Sequence, residues 1–248
     1  MLPEADLIVP DWPAPPSVRA LQTTRMGGVS LSPYDSLNLG THVGDQALAV
    51  ASNRQRLSPF VPSEPVWLEQ VHGTRVVRAD HAGCLPRADA AISHTPHTVC
   101  AVMTADCLPI LFCDETGTVV GVAHAGWRGL AAGVIESTVE AMQVAPRAIL
   151  AWLGPAIGAR SFEVGAEVRA QFVEDDHEAA NAFVPVPDNS GKYLADLCGL
   201  ARRRLTRLGI DRVYGGDFCT YSDSRRFYSY RRDGVTGRMA TLIWLGQA

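Results

Sequence analysis

The 248-residue chain has no apolar stretch long enough to cross a bilayer, for which about 18 residues are needed, and this excludes a membrane-spanning helix. Its first residues, "MLPEADLIVPDWPAPPSV", have neither a basic n-region nor an apolar h-region. That excludes a signal peptide and leads us to expect a cytoplasmic protein. There is no excess of positive charge. The formal net charge of −4 argues against a dedicated nucleic-acid binder. The six cysteines include no CxxC pair, so a zinc ribbon or a thioredoxin-type redox motif is excluded, and free thiols are expected. No HxH pair occurs, and the glycines of "HAGWRGLAAG" do not spell the GxGxxG of a dinucleotide fold. Internal repeats, low-complexity tracts and linkers are absent as well, which favours one compact domain over residues 1–248.

What is present is the material of a sizeable core, with 47% hydrophobic and 19% charged residues. Short apolar or alternating runs predict strands at "VWLEQV", "RVVRA", "TVCAVMT", "PILFC", "TVVGVAH", "AILAWLG", "RVYGGDF", "FYSYRR" and "TLIWL". Helical spacing predicts one helix through Leu130, Val134, Ile135, Thr138, Val139 and Met142, and another over 165–182. A third is predicted in "YLADLCGLARRRLTRLG", closed by Gly209. "VPDNSGKY" reads as a surface loop, and the Asp-Gly of "RRDGVTGRM" as a hairpin turn. The sum is a mixed α/β or α+β domain.

Two adjacent apolar runs carry a titratable ligand at one end: Cys107 precedes Leu108–Phe112, and His124 closes Val119–Ala123. His72, in "WLEQVHGTRVV", stands just past another apolar alternation. Two imidazoles and a thiolate suit a borderline-soft divalent metal, zinc first, and three protein ligands leave a coordination position open. The spacing matches no short metal motif. The residues alone leave three readings standing: a metal triad, a Cys–His nucleophile pair, or core residues with no chemical role.

The segments "TTRMGGVS…PYDSLNLGTHVGD", "WLEQVHGTRVV", "ADAAIS…VMTADCLPILFCD", "AHAGWRGLAAGVIE", "LGPAIG…FEVG" and "CTYSDSRRFYSYRRDGVTGRMATLIWL" occur in one order along the chain. Together they resemble the YfiH family, also called the laccase-domain or multicopper polyphenol oxidoreductase family. The resemblance begins near residue 20, leaving 1–19 as an N-terminal extension. It implies an α/β/β/α layered sandwich with mixed sheets, similar to a bacterial toxin deamidase. It also implies metal ligation by His72, Cys107 and His124, with Zn2+ as the metal and Cu2+ as the other candidate. The implied activities are phosphorolysis of adenosine, inosine, guanosine and methylthioadenosine, and deamination of adenosine. The implied partners are thus a purine nucleoside and phosphate. A Cys–His hydrolase, a peptidoglycan-precursor editing factor and a copper-dependent polyphenol oxidase are the alternatives; a binder without turnover remains a fourth.

Deamination calls for a proton carrier, for which Asp106 beside Cys107 and Glu69 are candidates. Phosphorolysis calls for an anion clamp, for which Arg25 in "TTRMGG" and Arg128 in "GWRG" are candidates, guanidinium forks matching phosphate oxygens. Asn38 and Gln70 are expected to hydrogen-bond the sugar or base. Cys219, Tyr221, Ser229 and Arg231 are expected to line the same pocket. His97 stands where many relatives carry a glycine, in the turn "HTPHTV".

Overall fold

The structure, a computed structural model, describes residues 2–187 and 191–247. Part of the loop expected at 186–193 lies outside the described residues, and its last two residues belong to a strand.

At the centre is a mixed six-stranded sheet. Its order is β12 (Arg212–Gly215), β8 (Ile149–Leu153), β6 (Leu108–Asp114), β7 (Val120–Ala125), β4 (Ala90–Ser93) and β3 (Val76–Arg78). The two outer pairs are parallel and the inner pairs antiparallel. A four-stranded antiparallel sheet lies against it, in the order β1 (Leu7–Ile8), β2 (Val18–Thr23), β13 (Met239–Leu245), β5 (Cys100–Thr104). A small antiparallel sheet joins β10 (Phe183–Pro185), β11 (Lys192–Ala195) and β9 (Glu163–Gly165).

Strands β5, β6, β7, β8 and β13 are buried along their whole length. Cover on both faces is what continuous apolar runs require. Alternation along β6 sends Leu108, Ile110 and Phe112 toward a core shared with the helices. Those helices are α2 (Trp127–Ala132), α3 (Val134–Met142), α4 (Ala166–Asp175) and α5 (Leu197–Arg207). Leu111 and Cys113 point the other way and pack with Val102 and Ile243 of the four-stranded sheet. Its outer face, through Leu21, Ala101 and Leu242, is covered by Leu37, Leu39 and Leu57 at the end of α1 (Ala47–Leu57). Through the molecule the order is helices, large sheet, smaller sheet, α1.

Several elements differ from expectation for local reasons. The helix expected through 130–142 is split by Gly133, whose φ of +101° ends α2 and opens α3. The helix over 165–182 is α4 followed by a 3-10 turn, His177–Ala182, because Asp176 is extended. Residues 193–195 of the expected third helix belong to strand β11, since Asp196 caps α5 by accepting the Gly199 N–H at 2.9 Å. "FYSYRR" is not a strand: Ser229 Oγ accepts the Arg232 N–H and starts the short helix α6 (Tyr230–Asp233), so the hairpin does not form. "VWLEQV" contributes only isolated bridges at Val66 and Glu69. His97 has φ +67°, the left-handed region that a glycine occupies without strain.

The feature that builds a site is the pairing of β6 with β7. Their register sets Pro109 opposite His124 and Leu108 opposite Ala125. Cys107, one residue before β6, is therefore carried to the same sheet end as His124.

Candidate metal centre

At that sheet end the Cys107 thiol, His124 and His72 converge, one ligand atom from each lying within 4.8 Å of the others. Zinc bonds of about 2.0–2.3 Å put neighbouring tetrahedral ligands roughly 3.3–3.8 Å apart. The Cys107 Sγ to His72 Nε2 separation of 3.8 Å is at that scale. The two imidazoles meet edge to face, with centroids 4.8 Å apart. Gly126 is the spacer: a Cβ there would lie 2.9 Å from Cys107 Sγ and 3.0 Å from His72 Cδ2. A side chain at 126 would fill the cradle between the ligands.

Asp89, fully buried at the start of β4, sets the shape of this group. Its Oδ1 accepts from His124 Nδ1 at 2.8 Å and from the His72 N–H at 2.9 Å. Its Oδ2 accepts the N–H groups of Gly73 at 2.7 Å and Val71 at 3.1 Å. With Nδ1 donated to a carboxylate, Nε2 of His124 is the nitrogen left for a ligand role. The backbone of His72 is left-handed, φ +60°, and the three N–H groups gathered on Asp89 hold it there. Burial alone would raise the Asp89 carboxyl, but the His124 and backbone donors hold it below the usual carboxylate range. Burial likewise pushes the Cys107 thiol up, yet the charge and hydrogen bonds of His124 and His72 bring it below the usual thiol range. His124 moves the opposite way: burial opposes its protonation, and the neighbouring Cys107 and Asp89 favour it. Metal ligation draws on the same thiolate character.

The group opens into a cavity of about 360 Å3, also lined by Gln70, Met103, Thr104, His42, Tyr230 and Arg238. Of the residues expected to hold substrate, Gln70 is at this wall. Its amide spans the β5 backbone, donating to Met103 O at 2.8 Å and accepting from Met103 N at 2.7 Å. Asp106 is next to Cys107 with φ +89°. Its carboxylate is taken by Thr220 Oγ1 at 2.6 Å, Ser229 Oγ at 3.0 Å and the Arg231 N–H at 2.7 Å. Ser229 and Arg231 thereby flank and place Tyr230, while the Arg231 guanidinium turns away to Glu163 O at 2.9 Å. Asn38 is buried in loop bonds to Gly40, Asp45 and the Arg238 N–H. Cys219 accepts the Gly158 N–H at 3.2 Å, and Tyr221 is exposed; neither lines the cavity.

Nor do Arg25, Arg128 or Glu69 line it. Arg25 ties Asp35 and Ser224 O and lies over the Tyr228 ring, while Arg128 lies over the Trp127 ring at 4.4 Å. The residues that reading the sequence overlooked are Asp89, His42, Thr104, Tyr230 and Arg238. Asp89 had one visible signal, a lone carboxylate inside the apolar run Ala88–Ile92. Arg238 had none, since its place depends on contacts 200 residues away along the chain.

Residues 19–246 match the family model described as "Multi-copper polyphenol oxidoreductase laccase". The chain is 57% identical over 242 residues to the purine nucleoside phosphorylase YfiH of Escherichia coli strain K12, covering 96% of this chain and 98% of that one. It is 58% identical over 238 residues to a purine nucleoside phosphorylase of Pseudomonas aeruginosa, covering 96% of this chain and 98% of that one. Among solved structures, a Neisseria meningitidis protein of the DUF152 family superposes with a TM-score of 0.95 at 53% identity, covering 98% of this chain and all (100%) of that one.

Proposed function

This chain belongs to the YfiH family of laccase-domain proteins, and we propose that it is a zinc-dependent purine nucleoside phosphorylase acting in the cavity beside His72, Cys107 and His124. The observation that carries the reading is the His–Cys–His group itself, held by a buried carboxylate and open to a cavity of small-ligand size. The relatives' shared activity supports it. The substrates proposed are adenosine, inosine, guanosine and methylthioadenosine with phosphate, together with hydrolytic deamination of adenosine.

In phosphorolysis a phosphate oxygen bonds C1′ of the ribose, the C1′–N9 bond breaks, and the purine leaves carrying a proton. A bound zinc ion would supply a Lewis acid at the cavity floor and, for deamination, an acidified water. Asp89 holds the His124 tautomer and the His72 backbone, so ligand geometry is set before substrate arrives. Met103, Ala105 and Tyr230 give the base an apolar wall. Gln70, with both amide ends on Met103, stiffens that wall. Asp106, its carboxylate fully bonded, is assigned as a positioning residue for Tyr230 and not as the proton carrier.

A second reading has its own observation. Cys107, His124 and Asp89 form a thiol–imidazole–carboxylate chain of the kind that activates a cysteine nucleophile. It would suit a hydrolase, including one that edits a wall precursor. The multicopper oxidase reading is supported least. One three-residue ligand group is found among the described residues, whereas a type 1 copper and a trinuclear cluster need several.

The deciding experiment incubates purified protein with inosine and phosphate, before and after metal depletion, and separates the products by chromatography. Hypoxanthine and ribose 1-phosphate, lost on depletion and restored by zinc, are expected. Turnover that survives depletion would move the assignment to the thiol nucleophile.

A further inference from the structure

Phosphorolysis needs an oxyanion held against the sugar, and neither Arg25 nor Arg128 reaches the cavity. The lining of the same cavity holds a different cation. Arg238 is half-buried beside Met239 at the start of β13, and among the described residues it pairs with no carboxylate. Its Nη1 donates to the carbonyls of Thr236 and Gly237, both at 3.0 Å, while Nε and Nη2 meet no acceptor among the described residues. Burial works against the charge of this guanidinium, and the two carbonyls satisfy only one of its nitrogens.

Cys107 and Asp106 lie near enough to favour the Arg238 charge, but the Asp106 carboxylate is already taken by Thr220, Ser229 and the Arg231 N–H and does not pair with the guanidinium. His42 lines the same cavity, and burial together with the nearby Arg238 and Arg54 holds its imidazole below the usual range. Asn38 makes this arrangement. Its Oδ1 accepts the N–H groups of both Gly40 and Arg238 at 2.9 Å, fastening the loop that carries His42 to the strand that carries Arg238. Gly40 gives the side chain room: a Cβ there would lie 2.9 Å from Arg238 Cγ. Thr104, on the same cavity and 2% exposed, has a hydroxyl with no hydrogen-bond partner. A buried unpartnered donor beside a guanidinium with a free edge and a neutral imidazole is a wall suited to an anionic ligand.

We propose that Arg238, with His42 and the Thr104 hydroxyl, is the phosphate subsite of this cavity. The proposal rests on the phosphorolysis reading above. In it, the Nε–Nη2 edge of Arg238 takes two phosphate oxygens, Thr104 donates to a third, and His42 closes the side toward solvent. Phosphate bound there faces the same cavity as the ligand group, so its free oxygen and the nucleoside share one space. The chemistry recognised is a phosphoryl oxyanion, and the source proposed is free phosphate, with the 5′-phosphate of a nucleotide as the rival that the test separates from it.

The test is steady-state kinetics of the zinc-loaded enzyme with inosine, varying inorganic phosphate and nucleoside separately, for wild type, Arg238→Gln and Arg238→Lys. Melting temperature and zinc content are measured alongside. The expected result is a rise in KM for phosphate of at least about tenfold in R238Q, a smaller rise in R238K, and a change of no more than about twofold in KM for inosine. An unchanged KM for phosphate in a folded, zinc-loaded R238Q protein would overturn the proposal. So would an effect confined to inosine. A weakened inhibition by inosine 5′-monophosphate, with phosphate KM unmoved, would assign the subsite to a nucleotide and overturn it likewise. Should wild type show no phosphorolysis, it is the parent reading that fails. Phosphorus-31 line broadening of inorganic phosphate, present in wild type and reduced in R238Q, would still support the subsite; broadening equal in both would overturn it.

Discussion

Two parts of the cavity lining are built on opposite rules. Around the candidate ligand atoms the polar groups are engaged: Asp89 takes four donors, and His124 and the His72 backbone are fixed by it. Elsewhere on the lining Arg238 keeps two free edges and Thr104 an unpartnered hydroxyl. Groups that must not move are fully bonded within the protein, and groups that must bind something keep their bonding capacity for it. The contrast separates residues that hold geometry from residues proposed to hold substrate, and it can be broken from either side.

Breaking the ligand group at its centre gives the largest effect. Cys107→Ser replaces a thiolate with a neutral hydroxyl, and zinc affinity should fall by more than the roughly 100-fold that marks loss of an outer partner. Competition with a chromophoric chelator measures this directly. Retention of wild-type zinc affinity would remove Cys107 from the ligand set.

One shell out, Asp89→Asn should weaken zinc binding by about 10- to 100-fold, because the amide can accept on one side only and turns an N–H toward Gly73 or His72. The same competition assay reads it. Melting temperature should fall as well, and a variant that melts lower yet binds zinc like wild type would reduce Asp89 to a fold-holding role.

Asp114 sharpens the comparison, being as fully bonded as Asp89 but at the opposite end of β6 from Cys107. It accepts from Thr118 N at 2.7 Å, Val119 N at 2.8 Å and the hydroxyls of Thr116 and Thr118. Burial opposes its ionisation, but these donors hold it below the usual carboxylate range. Asp114→Ala should cost about 3 kcal/mol at neutral pH by denaturant titration, with zinc affinity unchanged. A depressed carboxyl contributes its stability above the unfolded value, and that contribution is lost as pH falls through the folded value. The gap between wild type and variant should therefore be full at pH 7 and close below about pH 4. A gap that widens on acidification would contradict the assignment.

The smallest effect is expected where a guanidinium lies outside both parts of the lining. Arg128→Ala should change stability by no more than about 0.5 kcal/mol and leave KM for phosphate alone. A raised KM would move the anion site to the start of α2.

How much of this was legible in the sequence follows from where each interaction lives. Strands β5, β6, β7 and β13 are continuous apolar runs, and they read as strands because both their faces are covered. Helix α1 was invisible, since it buries only Val50, Asn53 and Leu57, leaves Leu48 exposed, and is otherwise small or polar. "FYSYRR" has the composition of a strand, but a single cap by Ser229 turns it into α6. At the site, Cys107 and His124 stood out because each stands at one end of an apolar run, although the residues by themselves left a metal, a nucleophile and a core role open. Asp89 showed only as a lone carboxylate in an apolar run, its partners being His124 and backbone N–H groups from another segment, and Arg238 did not show at all, its place being set by the Asn38 clamp across the fold.

The most direct test of the account titrates metal-depleted protein with cobalt(II), following absorbance and inosine phosphorolysis in the same sample. A thiolate-to-metal charge-transfer band should rise in step with activity and saturate at about one equivalent, and C107S should show neither. Full phosphorolysis before any cobalt is added, or in C107S, would contradict the assignment of the chemistry to the His72–Cys107–His124 centre.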